Sequence, residues 1–258
     1  MREIDKTLPK DQRILLAAEE VFSRRGYVQA TLDEIIALAD TGKGTVYKYF
    51  GNKDNLFYTL VASKIEPFLQ CLQEVVASGK STSEKIRSYM LALLPFLRDN
   101  KDLYRILWYE VSGNQRGFHP VFLNDGSWEM SSLYGDTLSE DEYNRILRYR
   151  NLIREQVLCL VTIISEGMET GFMKQGQPTI TAHHLFGGGT MSELHYVGQP
   201  EFTDAELADL IVDRFLYGHA VSNLGFGRGR VRKLGKEAFI RTIQQRFCRD
   251  AAWYDDAV

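Results

Sequence analysis

The chain has 258 residues, of which 44% are hydrophobic and 25% charged, and its formal net charge at pH 7 is -3. This length allows one large hydrophobic core or two small ones, and the composition is that of an ordinary globular protein. The slightly acidic balance excludes a protein that binds nucleic acid through a general excess of positive charge, so any such binding must come from a local surface.

The cysteines and the hydropathy pattern favour a cytoplasmic protein without a membrane partner. Cys71, Cys159 and Cys248 are odd in number and far apart, which fits neither a disulfide framework nor a metal site. The N-terminus, MREIDKTLPKDQ, is too polar for a signal peptide. The longest strongly apolar run, residues 157–164, is far shorter than the roughly 20 residues that cross a bilayer.

The elements predicted in chain order are helices. The first has an apolar stripe with spacings of three and four residues, which is typical of an amphipathic helix. Capping boxes, in which Ser or Thr precedes Glu by three residues, mark four helix starts: Thr31/Glu34, Ser81/Glu84, Ser139/Glu142 and Thr203/Glu206. These patterns predict an all-α fold with helices over about 10–25, 31–38, 42–49, 53–78, 82–98, 101–112, 140–170, 179–197 and 204–221.

The first three helices predict a helix-turn-helix. Gly26 supplies a left-handed cap for the first helix, and Thr31 caps the second. The turn that follows contains Asp40 and Gly42, which both tolerate positive φ. Two short helices joined by such a turn place the second of them in the DNA major groove.

The surface of the third helix suits DNA. Val46 and Phe50 lie at i and i+4 and are expected to anchor the helix to its neighbours. The remaining positions offer hydrogen-bonding groups, positive charge and planar rings at Lys43, Thr45, Tyr47, Lys48 and Tyr49. No acidic residue lies between Thr41 and Lys53, so positive charge is concentrated where phosphates would sit. The alternatives are that the tyrosines are packing residues, that the lysines are solvated charges, and that Thr31 is only a cap.

The segment from Ala17 to Phe57 resembles the DNA-binding domain of the tetracycline-repressor-like (TetR) family. The resemblance rests on Ala17-Ala18, Phe22, Gly26-Tyr27, Thr31, Lys43-Gly44, Tyr47, Phe50 and Lys53. It implies DNA contacts from Thr31, Thr41, Lys43, Gly44, Thr45, Tyr47, Lys48, Tyr49 and Lys53. The family often has Gly-Val-Ser before the lysine, where this chain has Asp40-Thr41-Gly42. We expect Thr41 to cap the third helix, so the fold is retained, while the absence of a serine at position 42 puts one of the family's usual phosphate contacts in doubt.

The stretch from 112 to 139 contains four glycines and Pro120, and it predicts a long irregular connection. Aromatic residues are dense in and before it, at Tyr104, Trp108, Tyr109, Phe118, Phe122, Trp128 and Tyr134. They are either ordinary core residues or the lining of an apolar ligand cavity. The resemblance favours the cavity, and Tyr104, Trp108, Phe118, Phe122 and Trp128 are the ligand-binding candidates.

The sequence offers no support for a metal, a cofactor or catalysis. His184 and His195 are three helical turns apart, too far along the axis to chelate one ion. There is no nucleophile elbow, phosphate loop or His-Glu-x-x-His motif. Gly187-Gly188-Gly189 weakens a predicted helix and therefore suggests either a close helix approach or a kink.

The domain organisation follows from these elements. Residues 1–52 are expected to bind DNA and residues 53–221 to bind a small-molecule effector and dimerise. Helix 4 connects the two functions. The resemblance implies that the helices at 179–197 and 204–221 form a four-helix dimer interface, and that the dimer is a repressor released from a palindromic operator by its ligand. The alternatives are a ligand-independent DNA-binding protein and an enzyme with an appended DNA-binding module.

The C-terminal tail, residues 222–258, combines basic residues with glycines. It carries eight basic and four acidic side chains, and its stretch from Arg228 to Lys236 has no acidic residue. Phe239, Ile243 and Phe247 follow with helical spacing. The tail is either a linker that docks a short amphipathic helix or an arm that adds sequence-independent DNA affinity.

Overall fold

The computed structural model describes residues 4–112, 118–122, 128–132, 138–196 and 203–220. Within these ranges the elements are α1 (Lys10–Gln29), α2 (Leu32–Leu38), α3 (Lys43–Phe50), α4 (Lys53–Ala77), α5 (Thr82–Asp99), α6 (Lys101–Ser112), β1 (Phe118–Phe122), β2 (Trp128–Ser132), α7 (Glu140–Glu169), α8 (Pro178–Tyr196) and α9 (Asp204–His219). The predicted helical fold is confirmed. The predictions for the tail concern residues outside the described ranges.

A short β-hairpin lies in the connection that the sequence predicts to be irregular. β1 and β2 pair antiparallel, with Phe122 opposite Trp128 and Phe118 opposite Ser132. Each strand is five residues long, and neither has the strict alternation of polar and apolar residues that reveals a half-buried strand. The hairpin is defined by cross-strand pairing, which helical periodicity does not predict.

The predicted caps account for the helix boundaries. Thr31, Ser139 and Thr203 each accept the backbone N–H of the glutamate three residues later, at 3.2, 3.3 and 3.3 Å. At Ser81, the Glu84 carboxylate accepts the serine backbone N–H at 2.9 Å. Gly26 has φ +73° inside α1, so one more turn follows a kink there.

One continuous hydrophobic core joins the first three helices to the rest of the described fold. Ile14 and Phe22 of α1 are fully buried and belong to the same cluster as Val46 of α3 and Leu60 of α4. The cluster continues through α5 and α7 to Leu216 of α9. The N-terminal helices therefore pack on the larger helical body through shared apolar contacts.

α9 is docked on α5 by ion pairs as well as by apolar contacts. The Arg87 guanidinium pairs with Asp209 at 2.5 Å, and Arg98 pairs with Asp204. Behind α9, the Lys174 backbone N–H donates to the carbonyl oxygen of His219 at 2.8 Å. These contacts fix both ends of α9.

Glycine in α8 serves a close helix contact within the chain. A Cβ on Gly189 would lie 2.5 Å from Cε of Met90 in α5, whereas a Cβ on Gly187 or Gly188 would meet nothing within 4 Å. α8 continues through all three glycines as one helix. Close approach therefore explains Gly189, while the other two glycines leave open space.

Within the described ranges, no helix is both long and apolar enough to cross a membrane. The same ranges contain no group of three or more His, Cys, Asp or Glu side chains that could hold a metal ion. The His184 ring lies 6.4 Å from the ring of His219 in α9.

Candidate nucleic-acid interface

The turn between α2 and α3 is held by side chains from the N-terminal segment. Asp40 has φ +50°, a left-handed conformation that a short polar residue tolerates. Its carbonyl oxygen accepts a hydrogen bond from the Arg13 guanidinium at 3.3 Å, and its carboxylate pairs with Lys6 at 2.7 Å. The hydrogen bond and positive charge of Lys6 lower the pKa of Asp40. No pattern in the sequence points to Lys6 or Arg13, since their partner is about 30 residues away.

Thr41 does not cap α3, contrary to the expectation. The N-cap residue is Gly42, which has φ -83° and whose carbonyl oxygen accepts the Thr45 N–H at 2.9 Å. The Thr41 hydroxyl is buried and has no hydrogen-bond partner. The helix begins one residue later than a Thr41 cap requires, so the hydroxyl packs inward.

α3 presents two distinct faces. Val46 and Phe50 are buried, as predicted. Tyr47 and Tyr49 expose 45% and 52% of their surface, which argues against a packing role for either ring. Lys48, between these two tyrosines in the sequence, is also exposed. The helix therefore offers aromatic hydroxyls and positive charge to solvent.

The first turn of α3 is open. Gly44 is exposed, and a Cβ there would meet nothing within 4 Å. Thr45 is half-buried. The Lys43 ammonium lies 5.9 Å from the Tyr47 ring centre and 3.8 Å from Asp33, and such an exposed pair adds little stability. The space beside Gly44 is thus open to a DNA backbone.

Thr31 is fully engaged as a cap. Besides accepting the Glu34 N–H, its hydroxyl lies 3.3 Å from the Glu34 carboxylate. That carboxylate also pairs with Arg25 at 3.0 Å. A phosphate at this helix start would have to compete with Glu34, so the geometry favours a structural role for Thr31.

Lys53 also has a structural role. Its ammonium donates to the carbonyl oxygens of Tyr27, Val28 and Ala30 at 3.0, 3.3 and 3.1 Å. It also lies 4.8 Å from the centre of the Tyr27 ring. Because an ammonium has three protons, these carbonyls at the end of α1 occupy its donor capacity. The expected phosphate contact would require breaking this arrangement.

Asp54, at the second position of α4, is the centre of a polar cluster that the sequence did not reveal. Its carboxylate accepts from the Tyr149 hydroxyl at 2.7 Å and the Tyr27 hydroxyl at 3.3 Å, and it pairs with the Arg148 guanidinium. Arg148 also donates to Asn55 at 2.9 Å. Burial and the negative charge of Asp54 raise the pKa of Tyr149, so its hydroxyl remains a donor. A single sequence contains no signal for a pair about 95 residues apart.

The ligand-binding candidates are only partly brought together. Tyr104 is buried and lines a space between α4, α5 and α6 together with Phe96 and Leu107. The volume of this space is about 10 Å³, which is at most enough to hold one water molecule. Trp108 is half-buried against the core and does not line that space.

The other candidates lie on the hairpin. Phe122 and Trp128 are directly opposite each other, and Phe118 is at the far end of β1. The directions of their side chains are outside the described structure. The ligand-binding assignment of these three residues therefore remains a prediction.

A buried polar group lies where α5, α6 and α7 meet, and sequence analysis missed it. Gln156 of α7 is fully buried. Its side-chain oxygen accepts from the Tyr104 hydroxyl, and its backbone oxygen accepts from the Tyr89 hydroxyl, both at 3.0 Å. Its amide nitrogen donates to the carbonyl of Leu152 at 3.0 Å. Burial raises the pKa of both tyrosines, so both hydroxyls are protonated donors.

Residues 14–59 match the family model described as "Bacterial regulatory proteins, tetR family". The HTH-type transcriptional activator FasR of Mycolicibacterium smegmatis is 27% identical over 104 residues, which are 39% of this chain and 48% of FasR. This chain thus spans about half the length of that relative. The fatty acid metabolism regulator protein of Bacillus subtilis is 24% identical over 181 residues, which are 70% of this chain and 79% of that protein.

The fold extends the similarity beyond the N-terminal helices. The crystal structure of the transcriptional regulator FadR from Bacillus subtilis in complex with stearoyl-CoA superposes with a TM-score of 0.59 and 19% identity, covering 80% of this chain and 98% of FadR. At this identity the likeness is one of fold. The chain therefore resembles the tetR family of bacterial regulatory proteins in its N-terminal residues 14–59, and the fold of a bacterial transcriptional regulator in most of its length.

Proposed function

We propose that the protein is a DNA-binding transcriptional regulator that acts as a dimer and responds to a small-molecule effector. The observation that carries the proposal is the division of α3 into a buried face, Val46 and Phe50, and a solvent face with Tyr47, Lys48 and Tyr49. Because α1 and α2 pack against the buried face of α3, the exposed residues of this short helix are presented together, as major-groove recognition requires. A regulator of this kind acts at the chromosome, so the proposed location is the cytoplasm, and we assign the protein no enzymatic activity.

Within this function, the exposed residues of α3 divide into two roles. Lys43 and Lys48 supply phosphate contacts, which position the protein without reading sequence. Gly44 allows the DNA backbone to approach the first turn. Thr45 and Tyr47 contact base edges, and Tyr49 packs against one strand of the DNA. Thr31 and Lys53 stabilise the motif instead, and the hydroxyl of Thr41 is buried.

Dimerisation uses the open faces of α8 and α9. Ile180 on α8 exposes 58% of its surface and Tyr217 on α9 exposes 76%. Gly187 and Gly188 leave space beside α8 into which a neighbouring helix fits. A single α3 reads too few base pairs for specificity, so a two-fold dimer on a near-palindromic operator is the arrangement that a regulator requires. Residues 1–52 are the DNA-binding part and residues 53–221 the effector and dimerisation part.

The effector class that the relatives suggest is a long-chain acyl-CoA. The FadR structure contains stearoyl-CoA, and a second relative is named for fatty acid metabolism. In this chain, α5, α6 and α7 enclose apolar residues around one neutral polar group, Gln156 with the hydroxyls of Tyr89 and Tyr104. A tyrosine hydroxyl that exchanges its Gln156 partner for the ligand is a neutral donor, which suits a thioester or carboxamide oxygen on an alkyl chain.

A second candidate function is DNA binding without an effector. The observation that favours it is the tightness of the interior around Tyr104, where the space is about 10 Å³. An acyl chain enters such an interior only if α6 or the hairpin moves. Repression relieved by the effector requires that movement, whereas an effector-independent protein does not.

Titration of an operator complex with acyl-CoA separates the two candidates. Duplexes selected from a random pool provide the operator, and stearoyl-CoA and free CoA are then added to the complex. We expect stearoyl-CoA to lower operator affinity and CoA to leave it unchanged. Unchanged affinity with both compounds, together with no shift of the melting temperature by stearoyl-CoA, would favour the effector-independent function.

A further inference from the structure

The polar cluster at the start of α4 joins three helices at one carboxylate. Asp54 belongs to α4, Tyr27 to the end of α1, and Arg148 and Tyr149 to α7. Only 23% of the Asp54 side chain is exposed. A carboxylate that accepts hydrogen bonds from a guanidinium and a tyrosine has strong, directional partners.

Aromatic rings surround this cluster and make it stiff. The Phe57 ring lies edge-on to Phe22 at 4.9 Å and to Tyr149 at 5.7 Å, and it lies 5.1 Å from Tyr27. On the other side, the Arg148 guanidinium stacks over the Tyr58 ring at 4.4 Å. Such ring contacts and cation–π contacts oppose sliding of α7 along α4.

The chain leads directly from this cluster to the recognition helix. α3 ends at Phe50, and only Gly51 and Asn52 separate it from α4. The Asn52 side chain accepts the Asn55 N–H at 2.8 Å, so the connection is itself capped. Because the link is so short, a rotation of the first turn of α4 is expected to move the adjoining end of α3.

The same face of α7 also enters the interior of the effector part. Gln156 follows Tyr149 by seven residues, which is two helical turns or about 10 Å along the axis. The buried hydrogen bonds of Gln156 with Tyr89 and Tyr104 therefore lie on one rigid helix with the contacts to Asp54.

We infer that the Asp54–Arg148–Tyr149 contact is a latch by which α7 sets the orientation of the recognition helix; this inference rests on the proposed DNA-binding function. Arg148 and Tyr149 are positioning residues, since they act on α3 through α4. The latch is closed in this structure, where α7 packs directly on α4. A displacement of α7 at Gln156 releases the latch and frees the first turn of α4.

The test uses the full chain with Arg148→Gln, and with Arg154→Gln as the matched control. Arg154 lies on the same helix, its side chain is 58% exposed, and it pairs with its neighbour Glu155. Both variants remove one positive charge from α7. The two readouts are amide hydrogen exchange over residues 43–58 and affinity for a selected operator, both well below the melting temperature.

For Arg148→Gln we expect faster exchange over residues 43–58 with unchanged exchange in α8, and about a tenfold decrease in operator affinity. Arg154→Gln should match the wild type in both readouts. Combining Asp54→Asn with Arg148→Gln should lower operator affinity no further than the larger single effect, because both changes break the same ion pair.

Equal exchange and equal affinity in the Arg148 and Arg154 variants would overturn the latch, and so would full additivity of the Asp54 and Arg148 changes. If Arg148→Gln does not fold, Tyr149→Phe repeats the test, because it keeps the ring packed on Phe57 and removes only the hydroxyl. If the wild type binds no duplex, the proposed function fails, and the exchange comparison still decides whether the latch exists.

Discussion

Lys48 and Lys53 are five residues apart and equal in charge, yet their surroundings differ. Lys48 extends from the exposed side of α3. Lys53 donates to three backbone carbonyls at the end of α1. From the sequence alone both lysines are expected to contact phosphates, because basic residues next to a recognition helix suit phosphates. What separates them is the fold of α1 against α4, which brings carbonyls without helical partners to the Lys53 ammonium.

Changing Lys48 to Ala should weaken DNA binding by a similar factor on all sequences. A phosphate contact carries affinity without sequence information, so the slope of log affinity against log salt should become shallower by about 0.9 when one phosphate is no longer neutralised. Fluorescence anisotropy with a selected and a random duplex at several salt concentrations measures both effects. An unchanged slope would show that Lys48 does not contact phosphate.

Changing Lys53 to Ala should lower stability and leave the salt slope nearly unchanged. Hydrogen bonds from a charged donor are worth about 1.5–3 kcal/mol, and the half-exposed position of Lys53 reduces that to about 1–2 kcal/mol. At about 2–4 °C per kcal/mol for a chain of this size, the melting temperature should fall by several degrees. Lys48→Ala is the control and should melt like the wild type; equal melting of all three proteins would contradict the structural role.

At the scale of elements, the sequence predicts those features that depend on residues a few positions apart. Thr31, Ser139 and Thr203 mark helix starts because a cap and its glutamate are three residues apart. The hairpin of β1 and β2 and the Asp54–Arg148 pair were missed because both depend on partners that only the fold brings together. In the candidate interface, the faces of α3 followed from periodicity, whereas the role of Lys53 did not.

The contact between α5 and α9 should depend on pH. Arg98 hydrogen-bonds to Asp204 and lowers the pKa of that carboxyl below 3.8. When folding lowers the pKa of a carboxyl group, its ionised form stabilises the folded protein. This contribution is complete at pH values above the pKa in the unfolded chain, and it is lost as the pH falls through the pKa in the folded protein. Asp204→Asn should therefore be less stable than wild type at pH 7, and this difference should shrink below about pH 3.8.

Urea unfolding at pH 7 and at about pH 3 measures that difference. Asp99→Asn is the control, since Asp99 is 75% exposed and lies 4.0 Å from the same arginine. It should change stability little at either pH. A difference between Asp204→Asn and wild type that is the same at both pH values would show that the ion pair contributes nothing.

At the scale of the whole molecule, one core connects the proposed DNA-reading surface of α3 with the helices α8 and α9, which carry exposed apolar residues. Within the described ranges, α4 is one helix from Lys53 to Ala77. The N-terminal helices are therefore joined to the rest of the protein without a long flexible linker that could act as a hinge. Any movement of the recognition helices is therefore a movement of packed helices. This architecture suits a regulator that alternates between two spacings of α3 in a dimer.

Dimerisation should be abolished when charge is placed on the open faces of α8 and α9. Ile180→Glu and Tyr217→Glu each bury a carboxylate if these faces meet a second copy, which is costly without a partner charge. Sedimentation equilibrium at micromolar concentration should show monomers. Tyr109→Glu, at a 47% exposed position on α6, is the control and should remain dimeric. Dimers in all three variants would place the interface elsewhere.

Selection of duplex DNA by the wild-type protein, followed by anisotropy on the enriched sequence at fixed salt, tests the central claim most directly. We predict a near-palindromic sequence bound by a dimer, with half-sites separated by about 34–36 Å or a multiple of that distance, and with roughly a thousandfold or greater preference over random DNA. Enrichment of no sequence, or equal affinity for selected and random duplexes, would contradict the assignment of α3 as a recognition helix.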